Sequence, residues 1–224
     1  MSLAFDPGPH LYSWNGAPVP SVTQVMSRAG LATDYSGVPW PHLANAAKLG
    51  TEIHQIIAAL LRQHGDVANW LQVALDFRHP HPRVRAAVIG FCGFMNAMTG
   101  RIQTVAFEQS VYSGVWGFAG TYDWRGFMNG RRTLLEWKTT SVLDEEAAGF
   151  QTAGYAIGHT GQFPDEPIED RGVLWLRKDG TPKLVMLDGP EHEADESTFL
   201  WALGQIGGVD PAEWAATGAY VYEF

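Results

Sequence analysis

The sequence predicts a β-sheet with helices packed on it, in an α/β or α+β arrangement. Apolar residues recur at helical spacing through much of the chain before Arg101. Three runs rich in Val, Phe, Tyr, Trp and Thr then follow between Ile102 and Thr140. Asn129-Gly130, the strongest short hairpin signal in the chain, divides the last two of these runs.

The elements follow in order. His10–Trp14 reads as a strand closed by an Asn15-Gly16 turn. Ser21 with Gln24 three residues on makes a capping box, and it opens a short helix that Gly30 stops. A long helix is predicted from about Pro41 to His64, with Gly65 as its stop. Leu49, Ile53, Ile56, Ile57, Leu60 and Leu61 form its apolar stripe, and His54 lies at the stripe's edge. Helices near Val67–Phe77 and Arg83–Met98 flank His79-Pro80-His81-Pro82, whose prolines predict an extended surface loop rather than a metal-binding histidine pair. Strands at Ile102–Tyr112, Trp116–Met128 and Arg131–Thr140 come next, then a helix at about Asp144–His159. Gly172–Arg177 and Lys183–Leu187 make a strand pair joined around Asp179-Gly180, and a last helix covers about Glu193–Ile206.

With 224 residues, 46% of them hydrophobic and nine of them Trp, one domain can bury a substantial core. The single cysteine, Cys92, sits among Phe91, Phe94 and Met95. It reads as a buried, inert thiol and excludes a disulfide framework or a four-cysteine cluster within one chain. A reducing compartment, the cytoplasm, is the expectation. No apolar run approaches the roughly 18 residues of a membrane helix, and the N-terminus lacks the pattern of a signal peptide. The formal net charge of −9 counts against holding nucleic acid by a broad basic surface. It leaves room for an enzyme that grips phosphate through metal ions and a few local cations.

The hairpin places the chemistry. If Asn129 and Gly130 are the two loop residues, Met128 faces Arg131 and, further along the ladder, Asp123 faces Glu136. Directly opposed residues have Cβ atoms about 4.5–5.5 Å apart. Lys138, two residues beyond Glu136, points to the same face. Adjacent carboxylates repel, and a divalent cation removes the conflict; hard oxygen ligands suit Mg²⁺ or Mn²⁺. Such a cation polarises a phosphoryl oxygen and acidifies water, which Lys138 can orient or deprotonate. This fits phosphodiester hydrolysis better than acyl transfer, because no Ser or Cys nucleophile with a paired base is evident. The plain alternative is an exposed strand face carrying a Glu–Lys and an Asp–Arg ion pair.

Gly120-Thr121-Tyr122-Asp123 followed by Glu136-Trp137-Lys138-Thr139 resembles the GxxD…(D/E)xKT core of the PD-(D/E)XK nuclease superfamily. Gly50-Thr51-Glu52-Ile53-His54 resembles the helical histidine motif of its RecB-like and phage-lambda-exonuclease-like branch, and Gln151 to Tyr155 matches that branch's QxxxY motif. Val19-Pro20-Ser21-Val22-Thr23-Gln24 is similar to the opening of many phage and bacterial members. The resemblance runs from about residue 10 to at least residue 188. It implies a restriction-endonuclease-like core, a central mixed β-sheet flanked by helices, with an N-terminal helical region. As one domain over 1–224, it would be mainly helical to about residue 100, with a nuclease core over about 101–190 and a C-terminal helix and tail over 191–224.

The resemblance further implies that His54, Asp123 and Glu136 hold Mg²⁺ or Mn²⁺, helped by a backbone carbonyl near Trp137, and that Lys138 is the catalytic lysine. Gln151 and Tyr155 would touch DNA or support the lysine, and Glu108 would support the site. Tyr122 stands where the superfamily's name has proline. The cysteines of the iron–sulfur members are absent, so no such cluster is expected, and no helicase motif is present. The implied activity is a DNA exonuclease acting from free ends in recombination, repair or phage DNA processing, in a bacterial or phage-infected cytoplasm. A homo-oligomer or a recombination partner protein is compatible with it. The rivals are an endonuclease with the same site and an inactive, nucleic-acid-binding accessory subunit.

Overall fold

The computed structural model describes residues 2–6, 11–66 and 69–206. It has an α+β architecture in which a mixed five-stranded sheet lies between two helical layers. The sheet consists of β4 (Ile102–Ser113), β5 (Phe118–Met128), β6 (Arg131–Lys138), β7 (Asp170–Leu176) and β8 (Pro182–Met186), in that spatial order. Three antiparallel strands are followed by the parallel pair β6–β7, and β7–β8 is again antiparallel. A parallel neighbour requires a crossover, supplied by helix α5 (Glu145–Gln162). Asn129 and Gly130 both take positive φ, 52° and 82°, as a two-residue hairpin turn demands.

An antiparallel sheet of β1 (Leu3–Asp6), β2 (Leu11–Trp14) and β3 (Ala17–Val19) precedes the helices. The sequence pattern marks only the middle strand, whose expected first residue, His10, lies outside the described residues. The strand β3 is three residues long and carries Pro18, which hides it from pattern reading. Helix α1 (Val22–Ala29) has the expected capping box at Ser21 and Gln24 and a left-handed Gly30 at its end.

Helix α2 (Trp40–His64) stops at Gly65 as expected. Its Ile53, Ile57 and Leu61 are buried, with Leu49, Ile56 and Leu60 packed beside them. Helix α3 (Trp70–Asp76) is shorter than the expected Val67–Phe77, of which Val67 is outside the described residues. Helix α4 (Pro82–Ala97) begins inside the expected loop. Pro82 fits the first turn, where no N–H is needed, and the His81 ring accepts the Arg83 amide as a cap.

Helices α2 to α4 cover one face of the sheet, where Trp124, Leu135, Trp137 and Leu174 pack with Ile57 and Phe91. On the other face α1, α5 and α6 (Asp195–Gln205) pack with Val111, Phe118, Tyr122 and Leu134. Cys92 is fully buried in the first layer, and burial pushes its thiol up to about 11, so it is the inert thiol expected. Trp116, expected in a strand, is half exposed in the turn before β5, where Gly117 takes φ 72°. Of the expected C-terminal helix and tail, residues 207–224 lie outside the described part. Among the described residues no helix is long and apolar enough to cross a membrane.

His159 on α5 is fully buried, with Nε2 3.1 Å from the Glu166 carbonyl oxygen. Burial, reinforced by the Arg125 charge, pulls its pKa down to about 4. Between its unfolded value of about 6.5 and 4, only the unfolded chain takes up this proton. The contribution is therefore fully present above about pH 6.5 and is lost as pH falls toward 4, by roughly 2–3 kcal/mol. Urea unfolding from pH 7.5 to 4.5 is expected to show this decline in the wild type and a flatter profile in His159→Gln.

Candidate metal centre and its lysine

Two acidic residues lie where the sheet's alternation of faces breaks. On a regular strand, residues two apart share a face. Yet Tyr122 packs with the α5 layer and Trp124 with the α2–α4 layer, so β5 reverses its facing across Asp123. On the neighbouring strand, Phe107 packs with the α2–α4 layer and Val111 with the α5 layer. Gln109 accepts a hydrogen bond from the Tyr122 hydroxyl, which places the reversal of β4 at Glu108. Glu108 takes φ 49°, a left-handed conformation that a non-glycine residue rarely adopts inside a strand. The registered pairs Phe107–Trp124 and Gln109–Tyr122 flank the kink, and Glu108 and Asp123 lie between them.

The hairpin register holds as predicted from Met128–Arg131 to Trp124–Leu135 and stops one step short of Asp123 and Glu136. The two acids are therefore not a registered pair. Instead Asp123 Oδ2 accepts the Trp137 amide at 2.6 Å. Its Oδ1 turns to His54 Nδ1 on α2, at 2.9 Å. Ile53 and Ile57 anchor that helix in the core. Gly50, one turn earlier, faces Thr139 just after β6, where a Cβ would make ordinary contact with Thr139 Oγ1 at 3.4 Å.

His54, Glu108 and Asp123 each offer a ligand atom, and these atoms lie within 4.8 Å of one another. They are the metal-capable group among the described residues. The donor set, one imidazole and two carboxylates, suits a divalent first-row cation. His54 Nδ1 faces Asp123, and its Nε2 is buried without a hydrogen-bond partner in the structure. Burial disfavours the His54 imidazolium. The Asp123 carboxylate, helped by Glu108, outweighs that and holds the His54 pKa above its ordinary value, against the opposing charge of Lys138. Lys138 is thus within electrostatic reach of the same group.

Lys138 and Glu136 point toward α5. Lys138 Nζ donates to Gln151 Oε1 at 2.6 Å and lies 3.6 Å from Glu136 Oε1. Gln151 Nε2 in turn donates to Glu136 Oε1 at 3.1 Å and to the Tyr155 hydroxyl at 3.0 Å. Gln151 and Tyr155, one helical turn apart, thus fix the lysine and the second acid together. Gly120 makes room for this. A Cβ at 120 would sit 2.7 Å from Tyr155 Cε1, so the glycine of the first motif and the tyrosine of the last are two halves of one contact.

The structure therefore brings together His54, Glu108, Asp123, Glu136, Lys138, Gln151 and Tyr155. Glu108, expected in support, groups with His54 and Asp123 as a possible ligand, and Glu136, expected as a ligand, accepts at Oε1 from Gln151 beside Lys138. The signal for Glu108 is a backbone angle, which a residue string does not display. Arg125, Arg131 and Arg132, which surround the hairpin, are paired with Glu166, Asp170 and Glu169. A cavity of about 1000 Å³ opens beside the site, bounded by Tyr35, Leu49, Ile53, Thr139, Val142 and Asp144. No protein-family model matches the chain, and a search of curated proteins finds no match.

A glycine in a strand normally weakens it, so Gly→Ala there is ordinarily neutral or stabilising. The Tyr155 contact reverses that sign. Gly120→Ala is expected to lower stability by about 1–3 kcal/mol through overpacking. Urea unfolding checks this; an unchanged midpoint would contradict the role given to the Gly120–Tyr155 contact.

Proposed function

We propose that this chain is a divalent-metal-dependent deoxyribonuclease that hydrolyses DNA phosphodiesters, with a restriction-endonuclease-like core. The observation that carries the reading is the shared position of Asp123. One of its oxygens belongs to the His54–Glu108 group, and the other is tied to the backbone next to Lys138. The two faces of the site are therefore held by one side chain.

His54, Glu108 and Asp123 would hold Mg²⁺ or Mn²⁺; the imidazole favours Mn²⁺ of the two. Bound there, the cation would supply positive charge at a phosphoryl oxygen and make water more acidic. Lys138 Nζ, aimed by Gln151 and Glu136, would orient or deprotonate the attacking water, or stabilise the charge that develops on the phosphoryl group. Gln151 uses both ends of its amide for this, so its orientation is determined by its partners rather than by rotamer preference. The cavity that reaches Ile53 and Thr139 carries Asp34, Asp144, Glu145 and Glu146 against Arg83 and Lys178, an excess of acid that gives little electrostatic attraction to phosphate. DNA capture by this reading rests on the metal and Lys138 rather than on a basic surface, in keeping with the net charge of −9.

The resemblance of the ordered motifs to RecB-like and phage-lambda-exonuclease-like enzymes favours action from DNA ends. End-labelled linear DNA and covalently closed circular DNA, incubated with Mg²⁺, Mn²⁺ or chelator, test the reading. Metal-dependent digestion of linear DNA alone is expected, and cutting of the closed circle would indicate an endonuclease. Asp123→Ala and Lys138→Ala are each expected to reduce cleavage by at least about 100-fold while remaining folded. Normal turnover by either variant would defeat the assignment. DNA binding without any metal-stimulated cleavage by the wild type would instead identify an accessory subunit.

A further inference from the structure

The backbone immediately after Lys138 is pinned by one side chain from the opposite layer. Arg83, in the first turn of α4, points its half-buried guanidinium at the ends of two parallel strands. Nη2 donates to the Thr139 carbonyl at 2.7 Å and to the Leu176 carbonyl at 2.5 Å, and Nη1 donates to the Arg177 carbonyl at 3.0 Å. Thr139 follows Lys138 directly, and Leu176 and Arg177 are where β7 ends. The last registered pairs between β6 and β7 are Trp137–Leu174 and Lys138–Trp175, so these carbonyls lie just past the end of the ladder. Leu176 is still registered with Pro182 of β8, and the Arg177 carbonyl also accepts the Gly180 amide, so the guanidinium links the Thr139 carbonyl to an already anchored end of β7.

We propose that Arg83 is a positioning residue for Lys138, acting through the Thr139 carbonyl; this rests on the nuclease reading of the site. A planar guanidinium spans three carbonyls on two strands, whereas a lysine ammonium is a single point. Next along the chain, Trp175 Nε1 donates to the Thr140 carbonyl at 2.8 Å, and Asp144 caps α5. The connection from Lys138 to the helix bearing Gln151 is thereby held at its start, middle and end. Of these holds, only Arg83 ties the lysine strand to the α2–α4 layer, the layer that bears His54. It therefore sets the lysine against the metal-capable group. The His81 cap on the Arg83 amide and the His79–Glu52 contact at 3.2 Å extend the brace back to α2. This gives the His79–Pro82 segment a structural task.

The test uses Arg83→Lys, with Arg83→Met as the second variant, in the full chain. The expected result for a folded variant is a kcat lower by roughly 10- to 100-fold, because small misplacements of a reacting group are costly. Mn²⁺ affinity by calorimetry should stay within about twofold of wild type, since His54, Glu108 and Asp123 are not bonded to Arg83. Independently of activity, the protein is labelled at the lysine side-chain carbons. Lys48, Lys138, Lys178 and Lys183 are the chain's lysines, and Lys138→Met assigns the site signal. The Lys138 signal should move in Arg83→Met, which adds no lysine of its own, while that of Lys48 stays in place. An unchanged kcat with an unmoved Lys138 signal would overturn the proposal. So would a parallel loss of Mn²⁺ affinity and kcat, which would make Arg83 a general support of the fold. If the wild type cuts no DNA, the nuclease reading fails, and the Lys138 signal still reports whether Arg83 positions that side chain.

Discussion

Asp123 uses its two oxygens in two directions. Oδ2 is held by the Trp137 amide and Oδ1 by His54. The first bond ties β5 to β6 just where their registered pairing stops, and the second ties the sheet to α2. A side chain can face both ways only because the alternation of the strand is interrupted there. Glu108 supplies the matching interruption on β4, at a backbone angle that costs about 1–3 kcal/mol for a non-glycine residue. Strain of that size persists only when the surroundings enforce it, and here fully buried Trp124 and Tyr122 on either side of Asp123 pull the strand into opposite layers.

The site therefore belongs to neither layer alone. His54 comes from the helix bundle on one side, Gln151 and Tyr155 from the crossover helix on the other, and the sheet between them carries Glu108, Asp123, Glu136 and Lys138. A parallel β6–β7 pair requires the crossover, and the crossover brings Gln151 back over the end of β6. The topology thus accounts for two side chains that no local spacing would have joined. A close approach holds α5 to the sheet: Gly120 against the Tyr155 ring.

Much of this was readable in the residue string, and the limits are physical. The Asn-Gly turn determined the β5–β6 register, because a two-residue loop leaves no freedom to slip. It did not disclose that the ladder ends at Trp124–Leu135, since that depends on a kink imposed by packing. The placement of His54 near the carboxylates followed from motif order rather than from geometry. Helical periodicity put it at the edge of the apolar stripe, and only tertiary packing turned that edge to the sheet. Glu108 is expected from the resemblance only in a supporting role, and nothing in the residue string singles out Arg83. Their roles arise from a dihedral angle and from contacts with residues 56 to 94 positions away. The short edge strands β1 and β3 escaped for a different reason: few residues and a proline carry little periodic signal.

The central claim is that His54, Glu108 and Asp123 form a cation site. Anomalous diffraction from crystals of the protein grown with Mn²⁺ tests it most directly. The account predicts a manganese peak bonded to all three side chains, with the direct His54–Asp123 contact replaced by bonds to the ion. Clear density for those three side chains with no peak between them, or a peak held only by other residues, would contradict it.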